Sequence, residues 1–318
     1  MRLETAATRL LRIDVPVVQA GMSWASSSPD LPLAVSEAGG LGVLAAGPMR
    51  IPDLREAILT IKRSTDRPFA VNLPLYRNGI DEVMELLLEL RPPVLIASQG
   101  GPKRYLAQFH DIGTTCLHVV ASEEHAVKAA ESGVDGLVVV GGEAGGHPPE
   151  TLVSTLVLVR AVVRAVPQTP VIASGGFVDG AGLAAALSLG AAAAQFGTRF
   201  LASHESTVHA DYKQAVLAAG ISDTRTVGRG LGMIRSLTNA FTDRMAKLED
   251  SAADIEERRT EFHSSTLKHA AFDGDVVNGK VEAGQSAGLI SALMPAADIV
   301  TSIVQEYEDA TSKLPRVR

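Results

Sequence analysis

Short runs rich in Val, Ile, Leu or Ala recur along the chain, beginning near Val17, Leu41, Phe69, Val94, Cys116, Gly136, Val171 and Ala193, with Gly, Pro or Asn near their ends. Between them lie segments whose apolar residues return every three or four positions. The clearest is Ile80–Leu90, with Val83, Leu86, Leu87 and Leu90 on one stripe, and the stretches 123–132 and 152–166 repeat the pattern. Apolar runs alternating with helical period predict βα units around a parallel sheet. Eight such units in about 200 residues match a TIM (β/α)8 barrel. A doubly wound open sheet has the same periodicity, but its nucleotide fingerprint is a GxGxxG turn after the first strand. Here that strand runs into Gly21, Met22, Ser23 and Trp24, so the barrel is the expected fold.

The pattern changes from about Ser203. Glycine thins between Ser236 and Ala271, while Asp243, Arg244, Lys247, Glu249, Asp250, Glu256, Glu257, Arg258 and Arg259 crowd together. Such charge density predicts a smaller, mainly helical region with a solvated face. Over 296–314, Ile299, Val300, Ile303, Val304 and Tyr307 share one face of an amphipathic helix expected to pack back on the barrel. The expected organisation is a barrel over 1–203, a helical substrate or lid domain over 204–290, and a C-terminal helix over 291–318.

Composition narrows the partners. Of 318 residues, 46% are hydrophobic but only 4% aromatic, and 29 are glycine, so small aliphatic side chains must fill the interior. The 29 Lys and Arg against 36 Asp and Glu leave a net charge of −7, without the basic footprint of a nucleic-acid binder. Cys116 is the only cysteine, which excludes an intrachain disulfide and suits a reducing compartment. The N-terminus shows no secretory apolar core. The most apolar stretches, 151–166 with Arg160 and Arg164 and 181–196 with Gly190, fall short of the roughly 20 residues a membrane span needs. A cytoplasmic enzyme with no membrane or nucleic-acid partner is expected.

In a barrel the chemistry sits at the C-terminal strand ends, and phosphate often binds after strands seven and eight. Strand seven ends in Ser174, Gly175 and Gly176, and strand eight in Gln195, Phe196, Gly197 and Thr198. Glycines there either make tight turns or let backbone N–H groups approach a phosphate, and their place after those two strands favours the phosphate. After strand six, four glycines and two prolines frame His147, and an imidazole titrating near 6.5 suits proton transfer at neutral pH. Glu143 in that loop reads equally as a hydrogen-bonding group and stays outside the catalytic set. Asn72, ending strand three, offers a donor and an acceptor to a heterocycle, or caps a turn. Gln195 shares the face of Gly197. His118 lies within strand five and faces either the interior or the helices. His110, His125, His204, His209, His263 and His269 read as surface residues. Cys116 starts its strand and so lies away from the catalytic end. No spacing of His, Cys or carboxylates argues for a metal.

The motifs at 16–22 (PVVQAGM), Phe69–Pro74 (FAVNLP), 142–147 (GEAGGH), 173–176 (ASGG) and 195–200 (QFGTRF) together resemble the nitronate monooxygenase (2-nitropropane dioxygenase-like) family. They also resemble its relatives, the FMN-dependent enoyl-acyl carrier protein reductases and certain NAD(P)H:quinone reductases. The resemblance spans nearly the whole chain, including 283–289 (AGQSAGL). It implies FMN, with phosphate contacts from Ser174, Gly175, Gly176, Gly197 and Thr198. Ring or ribityl contacts would come from Gly21, Met22, Asn72 and Gln195, and His147 matches the catalytic histidine. There are two departures: Val119 stands where some quinone reductases carry lysine, and Pro148 and Pro149 follow His147 where many relatives have glycine. The segments around 118–122 and Gln285 lean toward the enoyl reductase pattern.

The leading expectation is oxidation of alkyl nitronates with O2, His147 binding the nitro group or acting as base. The alternative is NAD(P)H-dependent reduction of an enoyl thioester or quinone, His147 holding the thioester oxygen or assisting protonation. An acyl carrier protein partner would need a basic patch, for which Lys103, Arg104, Arg225, Arg229 and Arg235 are the candidates. A homodimer is a further expectation. A flavin-free lyase or isomerase for a phosphorylated substrate would give a colourless preparation, and a simple binding protein would be told apart by its lack of turnover.

Overall fold

Each apolar run forms a strand: β1 (Val17–Gln19), β2 (Gly42–Ala45), β3 (Phe69–Pro74), β4 (Val94–Ser98), β5 (Thr115–Val120), β6 (Gly136–Val140), β7 (Val171–Ser174) and β8 (Ala193–Phe196). The computed structural model describes residues 2–315, so the expected segments 1–203 and 291–318 run beyond it at position 1 and positions 316–318. The eight strands pair in parallel in sequence order, and β8 returns to β1 through Val17 opposite Ala194 and Gln19 opposite Phe196. Between β1 and β2 the ladder narrows to a bridge from Val18 to Leu41. Gln19 reinforces it: its Oε1 accepts from Val43 N at 2.8 Å and its Nε2 donates to Val43 O at 3.1 Å. The sheet is thereby a TIM barrel, as the alternation predicts.

Alternate strand residues fill the interior, including Val18, Val43, Ala70, Val94, Ile96, Leu117, Val138, Ile172 and Ala193. Helix α1 (Ala6–Leu11) plugs the N-terminal end with Ala7 and Leu11, and Thr5 Oγ1 donates to Ala192 O at 2.7 Å. With that end sealed, the opposite end is left for a site. The outward-facing set, with Leu44, Val71, Leu95, Leu137 and Val139, packs under α2 (Asp30–Glu37), α3 (Ile51–Ser64), α4 (Ile80–Leu90), α5 (Leu106–Asp111), α6 (Glu123–Glu131), α7 (Thr155–Ala165) and α8 (Gly180–Ser188). Full burial of each such side chain contributes about 1.5–3 kcal/mol. Caps set the helix boundaries more tightly than periodicity does. Ser122 Oγ accepts from His125 N at 3.1 Å to open α6, and Ser154 caps α7, so Leu152 stays outside with a left-handed φ of 49°.

Beyond β8 come α9 (Thr198–Leu201), α10 (Ala210–Ala218), α11 (Ala240–Asp250), α12 (Ile255–Ser264) and α13 (Leu267–Ala271). Among them lies an antiparallel ribbon, β9 (Thr224–Val227) with β10 (Ile234–Leu237), which the charge pattern does not reveal. Its four-residue strands mix arginines with apolar positions and show no clean alternation. A core of Val227, Ile234, Phe241, Met245 and Phe262 joins the ribbon to α11 and α12. Helix α14 (Ala296–Ser312) buries Ile299, Val300, Ile303 and Val304 against the barrel's helices. It lies so close to α8 that a Cβ on Gly180 would fall 2.0 Å from Tyr307 N. No helix among the described residues is long and apolar enough to cross a membrane.

Candidate active site

The C-terminal strand ends enclose a cleft of about 1140 Å³, and all ten sequence-derived candidates line it: Gly21, Met22, Asn72, His147, Ser174, Gly175, Gly176, Gln195, Gly197 and Thr198. After β7 the backbone turns through two successive left-handed residues, Gly175 at φ 106° and Gly176 at φ 83°. Side chains rarely adopt such angles, and a Cβ on Gly175 would also meet Thr155 Oγ1 at 2.9 Å. Gln195 Nε2 donates to Ser174 Oγ at 2.9 Å, tying the ends of β7 and β8 together. Opposite them, Gly21 is required by close approach, since a Cβ there would lie 2.4 Å from Asn72 Cβ. Asn72 Nδ2 donates to Ile96 O at 3.0 Å, which leaves its amide oxygen as the group able to meet a ligand.

The His147 loop is held on three sides. Gly146 pairs with Arg235 of β10: Gly146 N donates to Arg235 O at 3.2 Å and Arg235 N to Gly146 O at 2.7 Å. The Arg235 guanidinium reaches past this bridge to donate to Gly142 O at 2.8 Å. Glu143 Oε2 accepts from Thr155 N at 2.8 Å and Thr155 Oγ1 at 2.7 Å, so it caps α7 and plays the hydrogen-bonding role. On the third side, Gln285 N donates to Glu143 O at 3.1 Å and Gly284 N to Thr198 Oγ1 at 2.9 Å. The segment around Ala283 thus bridges the loops after β6 and β8.

Glu282, in that segment, is the residue the sequence reading missed. It lines the cleft, and its Oε2 lies 3.2 Å from where a Cβ on Gly146 would sit, beside His147. Its main-chain carbonyl accepts from Tyr212 Oη at 2.7 Å. Desolvation raises the Glu282 pKa above the usual carboxylate range, against the opposing pull of His147 and Lys280. A single carboxylate among apolar and glycine residues was the available signal, but nothing in the sequence ties it to a loop so far upstream. Arg77 also lines the cleft, donating to Ala46 O and to Met49 O, which fixes the loop after β2.

Other candidates bear on the cleft less directly. His118 borders it, but its Nδ1 lies 3.1 Å from Tyr105 Oη, and burial lowers its pKa. His125, read as a surface residue, is exposed but borders the cleft. Of the residues considered for a basic docking patch, Arg104 pairs with Asp81, Arg225 pairs with Asp243 at 2.8 Å and Arg235 is buried, while Lys103 and Arg229 are exposed. Spacing also does not reveal His110, Cys116 and Asp135, whose donor atoms lie within 4.8 Å of one another at the starts of β5 and β6, away from the cleft. Asp135 Oδ2 there accepts from Cys116 N at 2.7 Å, and burial, with Asp135 adding to it, pushes the Cys116 thiol up to about 12. The trio acts as a hydrogen-bonded cap on the strand start.

With this geometry in view, comparison with known proteins is specific. A family model described as nitronate monooxygenase matches residues 4–83 and 76–306. The (3aS,4S,5R,7aS)-5-hydroxy-7a-methyl-1-oxo-octahydro-1H-indene-4-carboxyl-CoA dehydrogenase of Mycobacterium tuberculosis is 34% identical over 96% of each chain. A nitronate monooxygenase of Paraburkholderia phytofirmans is 30% identical over 96% of this chain and 95% of its own. Among solved structures, FabK from Thermotoga maritima superposes with a TM-score of 0.91 at 39% identity, covering 98% of both chains.

Proposed function

The chain belongs to the nitronate monooxygenase family of oxidoreductases, and from that premise we propose that it is an FMN-dependent enzyme exchanging hydride with thioester-activated substrates. The observation that carries this reading is the reach of the cleft. At about 1140 Å³ it exceeds the roughly 300–1,000 Å³ of an ordinary small-ligand pocket. It runs from the glycine turns after β7 and β8 to a mouth lined by Trp24, Tyr76 and Lys268. That is room for a cofactor together with a bulky substrate, which a small alkyl nitronate does not need. The coenzyme A dehydrogenase relative and the enoyl reductases the motifs resemble support the same class.

The residues fit a flavin mononucleotide. The left-handed Gly175 and Gly176, with Gly197 and the hydroxyl residues Ser174 and Thr198, form a turn-built cradle whose three glycines carry no Cβ and where backbone N–H groups can meet a phosphate. Gly21, Met22, Asn72 and Gln195 would flank the ribityl and ring. Bound flavin supplies two-electron hydride exchange. His147 and Glu282 handle the accompanying proton. For an enoyl thioester, His147 hydrogen-bonds the thioester oxygen or delivers a proton to the α-carbon while the β-carbon gains hydride. The two electrons come from NAD(P)H, oxidised to NAD(P)+. Glu282, its carboxylate beside Gly146 and within electrostatic reach of His147, would share in moving that proton.

A second reading, nitronate oxidation with O2, is favoured by the family description and the Paraburkholderia relative. His147 then binds the nitro group, and an ionised Glu282 opposes the anionic substrate. Two variants test the proton assignment. His147→Ala is expected to keep its flavin and lose about 10²–10⁴-fold in turnover. Glu282→Gln should lose about 10-fold in kcat and the acid limb of the pH–rate profile, which its raised pKa places above the usual carboxylate range. Unchanged kinetics in both, with flavin retained, would remove the pair from the reaction.

A further inference from the structure

Trp24 holds a left-handed φ of 68°, which a bulky aromatic seldom adopts. Two contacts fix it there: Trp24 N donates to Ser27 Oγ at 3.1 Å, and the Thr207 hydroxyl donates to Trp24 O. The half-buried indole lines the cleft mouth, its ring 5.9 Å from Phe272 at a tilt of 53°. Phe272 is 62% exposed, and Lys268 sets its ammonium 5.6 Å from that ring's centroid. Lys268 joins none of the ion pairs among the described residues. Tyr76, also lining the cleft, is 66% exposed and precedes Arg77 in the chain. The molecule carries −7 overall, yet the charged side chains lining this cleft are Arg77, Lys128 and Lys268 against Glu150 and Glu282. Lys128 is paired with Glu124 at 2.6 Å, which leaves Lys268 as the rim's unpaired ammonium among the described residues, and partly exposed aromatic rings beside it suit a planar purine carrying phosphate.

We infer that this rim binds the adenosine 3′,5′-bisphosphate of a coenzyme A thioester, Trp24 and Phe272 offering ring surface to the adenine and Lys268 a cation to the phosphate. The inference rests on the thioester reading and selects a coenzyme A carrier over a carrier protein. NADP(H) shares the adenosine phosphate chemistry but places its extra phosphate at the 2′ position, which separates the two sources.

The test titrates the flavin-loaded protein with adenosine 3′,5′-bisphosphate and with its 2′,5′ isomer, by calorimetry and by the emission of Trp24, the chain's single tryptophan. Saturable binding of the 3′,5′ compound is expected, about 10-fold tighter than the isomer and weakened about 10-fold in Phe272→Ala and Lys268→Ala. Both variants change exposed side chains and should raise KM for a coenzyme A thioester while leaving kcat, and turnover of an N-acetylcysteamine thioester, unchanged. No binding, equal binding by the variants, or preference for the 2′,5′ isomer would overturn the inference. Thioester turnover without bisphosphate binding would end this inference alone, whereas flavin unresponsive to every thioester would end the functional reading itself.

Discussion

Lys280 carries its ammonium over the Phe262 ring, 3.4 Å from the centroid, with the Phe241 ring 5.5 Å away. Burial lowers its pKa to about 8, the nearby Glu282 opposing the shift. Because the folded value lies below the unfolded one, near 10.4, charging Lys280 works against folding. That cost is fully present below pH 8 and is relieved as pH rises through the interval up to the unfolded value. Lys280→Met should therefore raise stability at neutral pH by about 1–2 kcal/mol, less what is lost with the cation–π contact. It should also flatten the rise in stability between pH 8 and 10 seen in the parent protein. Denaturant melts across that range check both, and a variant less stable at every pH would show the aromatic contacts outweigh the burial. Residue by residue, legibility followed locality. His147 could be read because glycines and prolines on either side announce a shaped loop at a strand end. Glu282 and Arg235 could not, since one owes its role to Gly146, far upstream in sequence, and the other to a bridge with that same residue.

At the scale of elements, the loop after β6 and the segment before α14 approach closely enough to exclude any side chain between them. A Cβ on Gly145 would stand 2.5 Å from both Ala283 C and Gly284 N, backbone atoms that cannot turn aside. Gly145→Ala is expected to push the two segments apart at a cost of about 1–3 kcal/mol, lowering the melting temperature. Flavin content should fall with it, because Gly284 N is the donor to Thr198 Oγ1. Retention of full flavin and activity would mean that the loops relax without disturbing the cradle. The barrel strands and the helix over Ile80–Leu90 were readable because each carries its own period. The ribbon of β9 and β10 was not. Its short strands gain their order from pairing with each other and from the Gly146 bridge, neither of which leaves a local pattern.

For the whole molecule, periodicity predicted units but not closure, which depends on Gln19 clamping β1 to β2 across the narrowest point of the sheet. Closure gathers residues from position 21 to position 198 around one cleft, and the C-terminal region adds Glu282 and the rim at Lys268. The volume of that cleft is what favours the proposed thioester oxidoreductase over an enzyme built for a small nitronate. The direct test mixes the flavin-loaded protein anaerobically with NADH or NADPH, and in parallel with propyl nitronate, following the visible flavin band. Nicotinamide should bleach the band, crotonyl-coenzyme A should then restore it, and nitronate should leave it largely unchanged. Rapid bleaching by nitronate, with no recovery on adding the thioester to reduced enzyme, would contradict the thioester assignment and favour nitronate oxidation.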